Sequence, residues 1–154
     1  MRILQYGEQL LVTLWVGSLW AIGYLAVPIL FSTLDDRMLA GMLAGKMFTA
    51  VSFIGLGCGT ALLAMAFQAS SSGLKDRRVQ LLGLMLILVA IGEFALQPAM
   101  AQLKAQGLVE GSGAAAQFGL LHGIASLLYL VNSACGLFLL ILTGRKPLSL
   151  RACE

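Results

Sequence analysis

The sequence predicts an all-α fold, a bundle of four transmembrane helices forming one domain over residues 1–154. Three observations predict it. Hydrophobic residues make up 59% of the chain and charged residues 11%, against roughly 25% charged in a typical soluble domain. The apolar residues gather into four blocks long enough to cross a bilayer. No block alternates apolar and polar residues with period two, as a membrane barrel requires. Together these exclude a water-soluble enzyme and a disordered chain. The net charge of +3 is no nucleic-acid signature, because the basic residues lie between the blocks and line no face. The expected partner is the lipid bilayer.

The blocks run from about Gln9 to Phe31, Lys46 to Gln68, Val79 to Met100 and Gly119 to Thr143. Each has 22 to 25 residues, or about 33–37 Å of helix against a hydrocarbon core of about 30 Å. Backbone amides in lipid must be satisfied within their own segment, which makes the blocks helices. The first is too long for a signal-peptide core, holds Trp15 and Trp20, and is followed by no small-x-small cleavage site. It is expected to stay as a span.

The loops are short. Ser32 to Gly45 holds Asp35, Asp36 and Arg37, Ala69 to Arg78 is Ser-rich and then basic, and Ala101 to Phe118 carries helix-weakening Gly107, Gly111 and Gly113. Seven of the ten Lys and Arg residues fall on one side, namely Arg2, Lys75, Arg77, Arg78, Arg145, Lys146 and Arg151. Arg37, Lys46 and Lys104 fall on the other. The positive-inside bias places both termini in the cytoplasm and the protein in the inner (plasma) membrane. Cys58 and Cys135 lie mid-helix and Cys153 in the tail, which implies no disulfide framework.

Small residues recur at four-residue spacing in Gly17/Ala21, Gly41/Gly45, Gly55/Gly59 and Gly119/Gly123. Such faces let backbones approach, either inside one bundle or at a homodimer seam.

Polar residues inside a membrane are costly and mark function. Counted from the outer ends of the blocks, Lys46 stands at the mouth of the second helix. Gln97 and His122 lie three residues in, and Tyr24, Glu93 and Ser126 seven. Pro28 and Pro98 cannot donate to the carbonyls of Tyr24 and Phe94, so two helices should bend near this depth. Helical stripes run through Glu93, Gln97 and Met100, through His122, Ser126, Tyr129 and Ser133, through Thr13, Gly17, Trp20 and Tyr24, and through Lys46, Thr49 and Phe53. If all four face inward, they line a polar chamber opening outward above an apolar plug.

The binding candidates are therefore Lys46, Glu93, Gln97, His122, Tyr24 and Ser126. Glu93 is the one carboxyl well inside a block. It either carries a proton or cation, or locks the packing with Lys46 as partner. Lys46 alone is also a snorkelling end residue. His122, the only histidine, is a hydrogen-bonded structural residue or a haem ligand whose second ligand comes from a dimer or a Met. Met38, Met42, Met47 and Met100 gather at the outer end. Thioethers beside His122 suit Cu(I), and Met also fills gaps. Asn132 is expected to bond across helices. No nucleotide loop, zinc spacing or nucleophile elbow appears.

Three separated motifs occur in order: Gly17-Ser18-Leu19-Trp20 followed by Gly45-Lys46-Met47-Phe48, then Gln97-Pro98, then Leu121-His122-Gly123-Ile124-Ala125-Ser126. With these the chain resembles the transmembrane protein 205-like family, whose bacterial members carry domain of unknown function 4149. The resemblance implies a four-helix integral membrane protein and carries over Lys46, Pro98, His122 and Ser126. Glu93 does not clearly match that pattern. The resemblance supplies no substrate. Copper-resistance and haem-associated four-helix membrane proteins are similar in fold only.

The function expected is non-enzymatic: a multi-pass protein that binds or passes a small solute or cation through the chamber. One alternative is a redox protein holding haem or quinone through His122. Another is an accessory subunit with a dry, fully hydrogen-bonded polar layer.

Overall fold

A computed structural model describes residues 2–70, 73–109 and 111–144. Arg145, Lys146, Arg151 and Cys153 lie outside the described residues, as does the side chain of Arg2. The protein is all-α, with four long apolar helices and no strand among the described residues. Helix α1 runs continuously through Arg2–Trp20, Ala21–Ala26 and Val27–Thr33. Helix α2 is Arg37–Ala69, and a short 3-10 turn follows at Gly73–Lys75. Helix α3 runs through Arg77–Ile91, Gly92–Leu96 and Gln97–Ala105, and α4 is Gly113–Gly144.

Each helix outruns its apolar block, because the caps lie in the polar flanks. Asp36 accepts from the amides of Met38 and Leu39 and so starts α2 nine residues before Lys46. Asp76 caps α3 through the Arg78 amide, and Ser112 caps α4 through that of Ala115. Gly107 and Gly111 take left-handed φ values of 84° and 81°, which L side chains rarely adopt. They turn the chain between α3 and α4. Gly113, expected to weaken helix, is instead the first residue of α4.

Short loops make successive helices antiparallel. α1 packs on α2 and α4, and α3 packs on the same two, so α1 and α3 stand diagonally across the bundle. The core holds Trp15, Leu62, Leu82, Met85 and Leu139. Trp15 is fully buried because α2 offers it Gly55 and Gly59. A Cβ at Gly55 would lie 2.5 Å from the indole nitrogen, and one at Gly59 2.8 Å from the indole ring. That small-residue pair is therefore filled from within the bundle. Gly17, Gly45, Gly119 and Gly123 face open space.

Beside the loop that precedes α3, Glu8 of α1 forms an ion pair with Arg78 of α3. It joins the diagonal helices at the end of the bundle opposite Pro28 and Pro98.

Candidate functional site

Both prolines stand two residues past a widened turn of their helix. The helices widen into π turns, Ala21–Ala26 starting seven residues before Pro28 and Gly92–Leu96 starting six before Pro98. The Val27 amide donates to the Ile22 carbonyl and the Gln97 amide to that of Gly92. These bonds reach one residue further back than α-helical ones. The carbonyls of Gly23 and Glu93 thereby lose their α-helical donors, and their π-helical donors would be the prolines, which have no N–H. The slip thus adds Gly23 and Glu93 to the unpaired carbonyls expected at Tyr24 and Phe94.

Helix α4 answers the first wide turn with Tyr129. Its hydroxyl donates to the Leu19 carbonyl at 2.6 Å. Only glycine fits there, since a Cβ at Gly23 would come within 2.4 Å of the ring. Phe48 of α2 meets Tyr129 edge-on at 5.0 Å, and Tyr24 lies 6.3 Å from it on α1.

Beneath this aromatic group a cavity of about 60 Å³ lies on the bundle axis. All four helices contribute to its wall, including Leu19, Ser52, Gly92, Tyr129 and Asn132. Asn132 is 3% exposed, yet its Oδ1 has no hydrogen-bond partner. The cross-helix bond expected of this oxygen is not formed. Ser133 beside it donates instead to the carbonyl of Tyr129 within its own helix.

The expected candidates share a depth but not a direction. Lys46 and His122 each lie nine residues inside their helices, and Tyr24 lies nine from the end of α1. This places Lys46 well within α2, not at its mouth. Lys46, His122 and Ser126 are exposed on the outside of the bundle. The inward-facing chamber of Tyr24, Lys46, Glu93 and His122 does not close. Lys46 forms no ion pair with Glu93; Glu8–Arg78 is the ion pair among the described residues. Ser126 donates to the His122 carbonyl, and the His122 ring stacks on Phe118 at 6.0 Å. Lys104 stands 5.3 Å above the same Phe118 ring, which ties the end of α3 to the start of α4.

Tyr24 is 44% exposed and packs on Trp20. Glu93 and Gln97 are half-buried. The Oε2 of Glu93 is sealed from solvent and has no hydrogen-bond partner. The methionines diverge: Met38 and Met42 are exposed, Met47 is half-buried and Met100 is buried. No group of three His, Cys, Asp or Glu side chains gathers among the described residues.

Sequence reasoning passed over Glu8, Ser52 and Gly23. Glu8 and Arg78 each lie one residue outside their apolar blocks, where opposite charges on two parallel helices were a readable signal.

The profile of the family described as Domain of unknown function (DUF4149) matches residues 10–108. The chain belongs to this family. The matched DUF4149 segment spans the first three helices, so it includes Lys46, Glu93, Gln97 and both π turns. It ends before α4 and before His122, Tyr129 and Asn132. No curated protein and no solved structure gives a significant match.

Proposed function

We propose that this DUF4149 protein is a non-enzymatic inner-membrane protein that binds or passes a small solute or cation in the outer half of its bundle. One observation carries this reading. The Glu93 carboxyl has an oxygen shut away from solvent with neither donor nor cation beside it. A carboxyl so placed in lipid is stable when it holds a proton or binds a cation. Gln97 follows one turn above it on the same helix face. The buried layer of Trp15, Met85 and Leu139 forms the plug below. Lys46, exposed and unpaired with Glu93, acts at the entrance, with Tyr24, His122 and Ser126 around it.

The expected test result is that Glu93→Gln abolishes proton or cation uptake by protein reconstituted in liposomes. Unchanged uptake would remove Glu93 from the mechanism. The axial cavity and the unpaired oxygens speak against an accessory subunit with a dry, fully bonded layer. A cavity of about 60 Å³ is far smaller than a haem or quinone, so a redox cofactor on His122 would sit outside the bundle, at its surface.

The resemblance to the transmembrane protein 205-like family adds the Leu-His-Gly-x-x-Ser stretch of α4, beyond the DUF4149 match. The charge bias supports cytoplasmic termini. The open faces at Gly17 and Gly119/Gly123 support a homodimer, since four helices rarely enclose a pathway alone. Reporters at both ends reading cytoplasmic, and a dimer in mild detergent, are the results expected; a strict monomer argues against the second copy.

A further inference from the structure

The axial cavity plays no part in the reading built on Glu93, which is not on its wall. All four helices meet here and leave about 60 Å³ unfilled, room for at least two waters at ~30 Å³ each. Three polar side chains stand on the wall. Asn132 is 3% exposed with an unpaired Oδ1. Ser52 forms no hydrogen bond to any described residue, whereas Ser126, Ser133 and Thr143 each bond a carbonyl four residues back. Tyr129 donates its proton to Leu19 and keeps an acceptor lone pair.

We infer that this cavity is a resident water site, held by the Asn132 side-chain amide, the Ser52 hydroxyl and the Tyr129 oxygen. An amide buried at this depth of a bilayer has no bulk water to bond. A buried water needs two to four polar partners, and the wall supplies three. A bare cation fits poorly, because the wall holds no carboxylate and is otherwise aliphatic. An apolar guest would leave Asn132 unpaired. Gly92 begins the π turn of α3, and Leu19 precedes that of α1. The water thus lies between the two wide turns, while the groups that hold it come from α2 and α4. Below it the buried layer of Trp15, Met85 and Leu139 marks the inner limit of hydration.

The test uses the full chain in detergent micelles, with water-to-protein nuclear Overhauser contacts and xenon titration as readouts. The wild type should show water contacts at the Asn132 side-chain amide and the Gly92 amide, and no xenon-induced shifts at the wall. Asn132→Ala should lose the Gly92 contact and admit xenon. Ser52→Ala, a milder change, should weaken the contact while Asn132 stays in place; it serves alone if Asn132→Ala does not fold. Xenon entering the wild-type cavity without water contacts overturns the inference. So does a Gly92 water contact unchanged in the variants. Glu93→Gln should leave both signals intact, so this site and the Glu93 reading fail separately.

Discussion

Trp15 is the largest side chain that the bundle hides completely, at 0% exposure, and Gly55 and Gly59 are what make room for it. The indole fills the space two side chains would have taken, and its Nε1 goes without a partner. Close packing therefore outweighs a missing hydrogen bond here. At Gly59 an added methyl would lie 2.7 Å from Leu86 and 2.8 Å from the Trp15 ring. Leu86 can turn away, but the enclosed indole cannot. Gly59→Ala should cost about 1–3 kcal/mol by overpacking. Gly57, two residues earlier, faces open space. There Gly57→Ala should gain about 0.5–1 kcal/mol from helix propensity. Unfolding in detergent measures both, and equal effects at the two positions would refute the packing argument. The sequence made the flat face at Gly55/Gly59 legible but not its occupant. Spacing shows that a backbone can be approached, not which chain approaches it.

On the scale of the helix, the prolines were legible and the register slip was not. A missing N–H follows from residue type alone. A π turn depends on what a neighbouring helix offers in return, and here that is the Tyr129 hydroxyl on Leu19. Tyr129 belonged to a polar stripe in the sequence, but its ring needed Gly23 opposite, a pairing across 106 residues of chain. Tyr129→Phe keeps the ring and removes the bond. It should cost about 0.5–1.5 kcal/mol, the range of hydrogen bonds between membrane helices. It should also increase amide exchange at Gly23. A variant as stable as wild type, with exchange unaltered, would show that the wide turn holds itself. The expected start of α2 was wrong for a local reason. Hydropathy marks the apolar stretch, while Asp36 sets the helix end nine residues earlier.

Across the whole molecule, the four spans were readable, and their rotation and the depth of each polar residue were not. α2 and α4 are apolar on nearly all sides, so periodicity gave no inward direction, and Lys46 and His122 point outward. Among the described residues, Glu93 and Asn132 alone keep sealed side-chain oxygens without partners. The ends of the molecule depend on charge instead. Glu8 and Arg78 meet across the diagonal with only 16–19% of their side chains exposed, so little solvent screens them. They are the one charged link between α1 and α3 among the described residues. Removing either charge should leave the other poorly solvated, costing about 1–3 kcal/mol, between the values for exposed and buried pairs. The swap of Glu8→Arg with Arg78→Glu restores opposite charges. It should recover at least half of that loss if the two groups act on each other rather than on lipid headgroups. A double-mutant cycle in detergent, read by thermal unfolding, gives the coupling directly. If the swapped protein is no more stable than the single variants, the diagonal pair does not hold the bundle closed.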